Sequence, residues 1–140
     1  MVARHTHHVS TNGQGDVRDI TAAIAQAVAD SRLTAGVATI FVVGSTAAVT
    51  TLEFEPGVVH DLNGVFDALA PRDGEYRHHL RWGDDNGSSH VRAALVGPSI
   101  SIPFADKQLA LGTWQQVVLL EFDTRPRTRE IVIQLVGDAQ

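Results

Sequence analysis

The chain has 140 residues, a length that suits one compact domain with a continuous core. With 44% hydrophobic and 19% charged residues, apolar burial can offset the entropy of ordering, which argues against extended disorder. Eleven Lys and Arg against sixteen Asp and Glu leave a formal charge of −5, so no nucleic-acid partner is expected, and the absence of cysteine removes disulfides, thiolate metal sites and Cys nucleophiles.

The opening Met1-Val2-Ala3-Arg4-His5 lacks the apolar core of a secretory signal, and no stretch reaches the roughly 18 apolar residues of a membrane span. A cytoplasmic protein without membrane contact is expected. His5 and His7 fall on one face of an expected first strand. From Asp16 to Ser31, Ile20, Ala23, Ile24, Ala27 and Val28 recur at helical spacing, with Asp16 or Asp19 available as a cap. Gly36 marks the exit, and the apolar, β-branched run Val37 to Val43 predicts a strand buried on both faces. A kink or bulge at Gly44 then leads into strand-like Ala47 to Phe54.

Pro56-Gly57 signals a turn, after which Val58, Val59, Leu62, Val65, Phe66 and Leu69 predict a second helix over Val58 to Ala70 that Pro71 ends. Pro71 to Ser89 is polar and rich in Gly and Asp, the pattern of a long functional loop. Beyond it the spacing predicts short strands over Ala93 to Val96, Ser99 to Pro103, Leu109 to Leu111, Trp114 to Phe122 and Glu130 to Val136. Clean alternation of Ile131, Ile133 and Leu135 gives the last of these one dry face. No internal repeat or linker interrupts the chain, so a single domain over residues 1–140, of the α+β class with an antiparallel second half, is expected.

Three clusters can carry chemistry. His78, His79 and His90 accompany Asp84, Asp85 and Asn86, a set able to bind a divalent ion through nitrogen and oxygen or to act as general acid and base. The spacing matches no compact zinc motif, and surface histidines hydrogen-bonded in a polar loop explain it as well. Glu53 and Glu55 share one strand face near Asp61, suited to a cation or to a solvated strand end. Arg125, Arg127 and Arg129 alternate as a phosphate clamp or a charged edge strand would. Gly44-Ser45-Thr46 offers amides and hydroxyls to an anion but lacks the Lys and glycine spacing of a phosphate loop. Trp82 and Trp114 read as packing residues, with Trp82 placed in the loop where it could floor a pocket.

These pieces occur in order across the segments GDVRDIT (15–21), FVVGSTAAVTTLEFEPG (41–57), APRDGEYRHHLRW (70–82), NGSSHVRAALVGPSISIPF (86–104) and LGTWQQVVLLEFD (111–123). So composed, the sequence resembles the YjbQ-like family, also called secondary thiamine-phosphate synthases. Much of that family carries His followed by Thr or Ser where this chain has Gly44 before Ser45 and Thr46, the mark of a branch. The other two family histidines fall on His78 and His90, and Glu53 and Asp61 match family positions.

The resemblance implies an α+β fold built on a jelly-roll-like antiparallel β-sandwich with two main helices, assembled as a homotrimer with clefts near the subunit contacts. It also implies weak thiamine-phosphate formation, joining a pyrimidine diphosphate to a thiazole phosphate with loss of pyrophosphate. Such chemistry suits a divalent ion, zinc or magnesium, beside a small anionic ligand. The expected site therefore uses His78 and His90 as metal ligands or proton shuttles, Glu53 as ligand or base and Asp61 as an orienting group. Ser45, Thr46 and Arg92 would meet the ligand's anion, Arg92 from the same strand face as His90. A non-catalytic oligomer that binds a metabolite or metal in the same cleft is the alternative. Gly112-Thr113-Trp114-Gln115 is expected to set a tight turn and to seat Trp114 in the core or a subunit contact.

Overall fold

The computed structural model describes residues 1–139. In chain order the elements are β1 (Val2–Ser10), β2 (Val17–Asp19), α1 (Thr21–Asp30), β3 (Leu33–Val42), β4 (Ala47–Leu52) and α2 (Pro56–Leu69). They continue with α3 (Arg77–Trp82), α4 (Gly87–Val96), β5 (Ser99–Ala105), β6 (Gln108–Leu109), β7 (Gln116–Glu121) and β8 (Thr128–Ala139). The strands form one sheet in the order β1-β8-β3-β5-β6 and a smaller one in the order β2-β7-β4, every pairing antiparallel.

Alternation along the strands decides which faces meet. Ile131, Ile133 and Leu135 of β8 point inward with Ala38, Ile40 and Val42 of β3 and Ile102 and Phe104 of β5. The facing surface of the small sheet supplies Ala47, Val49, Val117 and Leu119, and α1 adds Ile24, Ala27 and Val28 to the same core. The opposite surface of the small sheet, with Ala48, Val118, Leu120 and Phe122, is covered by Phe66 of α2 and Ala93 of α4. Strand β7 is thus buried on both faces. The fold is the expected α+β sandwich of antiparallel sheets, carrying four helices where two main ones were expected.

Several elements depart from the sequence pattern for identifiable reasons. Val17, Arg18 and Asp19, read as helix, instead pair with Leu120, Leu119 and Val118, because adding a strand beside β7 satisfies the backbone laterally. Asp19 then accepts the Thr21 amide at 2.9 Å, while Asp16 is taken up by the Asn12 amide and Arg18. Gly36 does not end a helix; it lies within β3 beside Gly137 of β8, where a β-carbon on either glycine would collide with the other strand's backbone. Ala93 to Val96, expected as a strand, is the last part of α4. Trp114 is 73% exposed and so is not a core residue, although its turn forms as expected through the Gln115 amide and the Gly112 carbonyl, 3.1 Å apart. Trp82 is exposed as well.

At one end of the sandwich the sheets are joined by charge. Arg129 of β8 and Glu121 of β7 are both almost fully buried, and the guanidinium grips the carboxylate with two nitrogens, the Nε to Oε2 distance being 2.8 Å. Thr11 donates to the same carboxylate at 2.8 Å. Thr46 accepts from Arg129 Nη2 at 2.7 Å and donates to Asp123 Oδ2 at 3.0 Å. β8 lies between β1 and β3, so the arginine-rich segment leading into it is not the edge strand that its charge suggested. Removing one member of such a pair strands the other charge in low dielectric. Glu121→Ala should therefore lower unfolding free energy by about 3–5 kcal/mol in urea titrations, with native far-UV circular dichroism retained before the transition.

Candidate functional site

The polar segment between α2 and α4 is ordered by its own side chains. Tyr76 precedes α3, and Gly83 closes that helix in a left-handed conformation with φ +62°. Asp84 accepts the Asn86 amide at 3.1 Å, and Asn86 Oδ1 accepts from Ser89 Oγ at 2.7 Å and from the Thr124 amide at 3.1 Å. His79 Nε2 accepts the Gly87 amide at 3.0 Å, while Gln14 reaches Ser88 at 3.2 Å. The head of α4 is thereby fastened both to α3 and to the turn after β7.

That attachment places His90 against His78, with ring centroids 4.5 Å apart and planes inclined by 52°. His78 Nε2 lies 3.2 Å from Asp84, so a carboxylate backs one imidazole of the pair. The Asn86 amide holds the Asp84 carboxyl below the ordinary carboxylate range; desolvation opposes this, and the bond to His78 adds to it. The neighbouring His79 is spent on Gly87 and on an edge contact with Tyr76. Among the described residues the His90 imidazole makes no hydrogen bond.

His90 also lines a hollow of about 250 Å³ shared with Gly44, Ser45, Ala47, Ala93, Ala94 and Pro98. Ser45 is exposed at its wall. Thr46 is buried beneath, with its hydroxyl committed to Arg129 and Asp123. Burial pushes the Asp123 carboxyl up, but the Arg125 amide, Thr46 and Arg127 outweigh it and leave the group below its ordinary range.

The other expected members stand apart. β4 ends at Leu52, so Glu53 and Glu55 do not share a strand face; Glu53 is exposed and Glu55 caps α2 by accepting the Gly57 and Val58 amides at 2.9 and 2.6 Å. Asp61 projects from α2 with its side chain 85% exposed, and among the described residues its side chain has a polar contact with His60 alone. Arg92 is on α4, where residues two apart point in nearly opposite directions, so it does not share a face with His90. Its guanidinium is buried, donating to the Ala70 carbonyl at 2.9 Å and to Asp67 at 3.0 Å. Among the described residues no group of three His, Asp or Glu side chains is arranged to hold a metal ion.

Two residues of the expected clusters take defined places around the site. Asp84 is found by its position six residues after His78, once the intervening turn folds back. Arg129 lies in phase with the buried Ile131 and Ile133, which is the signal that its side chain points inward.

The small antiparallel sandwich is an architecture shared with solved proteins. A YbjQ-like protein of unknown function from Sulfolobus solfataricus superposes with a TM-score of 0.91 at 29% identity, covering 99% of both chains. A YjbQ/UPF0047-family protein from Clostridium acetobutylicum gives 0.84 at 30% identity over 94% of this chain and 99% of its own. The family model described as UPF0047 protein YjbQ-like matches residues 5–138. UPF0047 protein MJ1081 of Methanocaldococcus jannaschii is 34% identical over 94% of this chain and 93% of its own length. UPF0047 protein YugU of Bacillus subtilis is 31% identical over 94% and 98%. The chain belongs to the UPF0047, YjbQ-like family.

The unequal commitments of the three histidines are testable through stability alone. His79→Ala should cost about 1–2 kcal/mol, through the lost acceptor for Gly87 and the lost ring contact. His90→Ala should stay within about 0.5 kcal/mol of wild type in the same chemical denaturation.

Proposed function

We propose that the hollow beside His78 and His90 binds a small anionic, phosphate-bearing molecule and that the imidazole pair moves protons on it. One observation carries this reading: His90 has no protein hydrogen-bond partner among the described residues, stands over an open hollow, and touches a His78 that Asp84 backs. An imidazole oriented by a carboxylate is a recurrent means of fixing which nitrogen carries the proton. Ser45, on the wall of the same hollow, is available to orient the ligand. Glu53 and Asp61, both exposed and unattached to this pair, fit the reading only as groups that a bound ligand or a second subunit would bring into play.

Two imidazoles fall short of the three protein ligands usual at a catalytic zinc. Zinc or magnesium would have to complete its shell from the ligand's oxygens or from another subunit, so no step is routed through a metal. Thiamine-phosphate formation is the first reaction to assay, because the family resemblance implies it and both its substrates carry phosphate. His78→Ala and His90→Ala should each lower turnover by about 10²–10⁴-fold, with metal content measured on the same preparations. Equal rates in wild type and both variants would eliminate proton transfer and leave the non-catalytic metabolite-binding alternative.

The homotrimer belongs to the same reading, supported by the outer face of the large sheet. Across it Val2, Val136, Val37 and Pro103 form one cross-strand row, and Thr6, Val132, Phe41 and Ser99 another. Val2, Val37, Phe41, Val43 and Val136 are between 40% and 61% exposed, an apolar patch of the sort that covers itself by association. Phe41→Asp should shift the mass found by light scattering from that of a closed oligomer to that of one chain. An unchanged mass would place any subunit contact elsewhere.

A further inference from the structure

The large sheet ends on one side at β6, two residues long, and on the other at β1, nine residues long. In the small sheet β2 has three residues, and the Val49 amide of β4 is taken by the Gly97 carbonyl at 3.2 Å. Short or covered edges are the common protection against stray pairing. β1 is long, contains no proline and pairs with β8 without a bulge. Its free groups can be assigned from the ladder. Met1 and Gly137 exchange both main-chain bonds, at 3.0 and 3.1 Å, and the Thr11 amide bonds to the Arg127 carbonyl at 2.8 Å. The register between them is unbroken, and bonded and non-bonded pairs alternate in an antiparallel ladder. Ala3, His5, His7 and Val9 therefore bond to β8, whereas Val2, Arg4, Thr6, His8 and Ser10 turn N–H and C=O outward, where no strand pairs with them among the described residues.

A hollow of about 390 Å³ opens along this edge, between β1 and α1. His5 and His7 line it from the inner face, half-buried and, among the described residues, without side-chain hydrogen bonds. Thr6 lines it too, although its side chain belongs to the outer face, so its main chain is the part that meets the hollow. The hollow exists because α1 presents alanines here, Ala22, Ala23 and Ala27, above Ile133. Two carboxylates flank it, each half used: Asp19 Oδ1 accepts the Thr21 amide at 2.9 Å and Asp30 Oδ1 accepts from Gln26 at 2.8 Å. Among the described residues the second oxygen of each has no partner.

We infer that β1 and this hollow dock an extended peptide that carries a lysine or arginine at an inward-facing position. The peptide adds a strand to the sheet, its main chain bonding to Arg4, Thr6 and His8. Its inward side chain lays an aliphatic stem over the alanines and brings its charge to Asp19 or Asp30. Charge complementarity selects this occupant: the walls are acidic, and the chain's formal charge is −5. On the outer face the added strand lies beside Arg4 and His8, so basic residues fit at inward positions alone. The site owes nothing to the imidazole pair of α3 and α4.

The test uses the intact protein, labelled with ¹⁵N, and a capped peptide of alternating threonine and valine with one central lysine; a twin peptide carries glutamate instead. The lysine peptide should give saturable shifts along β1 and should slow hydrogen exchange at the Arg4, Thr6 and His8 amides, which exchange fast in the free protein, while His5 and His7 are protected throughout. The glutamate peptide should bind at least about tenfold more weakly, the worth of one hydrogen bond to a charged group. Thr6→Pro removes an outward N–H and no bond to β8, so it should abolish binding in a folded protein. Asp30→Asn, at an exposed position, should weaken the lysine peptide about threefold, as an exposed ion pair would.

Absence of saturable shifts, or equal binding of the two peptides, overturns the assignment. So does a folded Thr6→Pro protein that binds as wild type does; if that variant does not fold, an Asp30→Asn protein with wild-type affinity overturns it instead. Protection of Arg4, Thr6 and His8 without peptide, rising with protein concentration, would give the edge to a second copy of the chain and equally remove the peptide.

Discussion

The end of the sandwich that carries the candidate site is organised around one buried ion pair. Glu121 and Arg129 lie on different sheets, and neither can be buried alone without losing several kcal/mol of hydration. Their contact therefore sets how the sheets meet at this end. The loose ends of both sheets are gathered onto it: Thr11 after β1, Thr46 before β4 and Asp123 after β7 all bond to the pair or to one another. Buried polar networks of this kind are costly when incomplete and specific when complete. No buried side-chain nitrogen or oxygen is left unsatisfied among the described residues. The network is complete in that sense.

The imidazole pair depends on the same anchorage through a short chain of contacts. Asp123 is followed by Thr124, whose amide bonds to Asn86, and Asn86 also takes the Ser89 hydroxyl on the first turn of α4. His90 is the next residue. Its position over the hollow thus descends from β7 through a rigid turn and not from the mobility of a long loop. Arg92 fixes the other side of α4 to Asp67 and the end of α2, so the helix is held from two directions. A helix clamped in this way can present one imidazole to solvent without the ring's own hydrogen bonds having to hold it.

Much of this was legible in the sequence where periodicity alone decides structure. The alternation of Ile131, Ile133 and Leu135 gave the correct inner face of β8, and the spacing from Val58 to Leu69 gave α2 nearly to its ends. What failed was structure made by distant partners. Val17 to Asp19 became a strand because β7 offered an edge, and the head of α4 became helical because His79, Asn86 and Gln14 satisfy its polar groups from other segments. The site divides in the same way. His78 and His90 meet, but Glu53 and Asp61 do not join them, because carboxylates near one another in sequence say little about where a helix cap directs them. Arg92 looked available because two-residue spacing was read on a strand, and a helix turns that spacing away from His90.

Gly44 ties these strands of reasoning together. It lies between β3 of the large sheet and β4 of the small one, with φ at +142°, a conformation that side chains rarely adopt. A conformational demand alone would make glycine a structural convenience at a sheet crossing. The contact with Arg129 adds a second demand, since a side chain here would press on the one nitrogen of the buried guanidinium that has no hydrogen-bond partner among the described residues. The two demands coincide because the crossing brings the chain directly over the ion pair that joins the sheets. At this crossing the missing side chain leaves room only for the buried guanidinium of Arg129, held in place by Glu121 and Thr46.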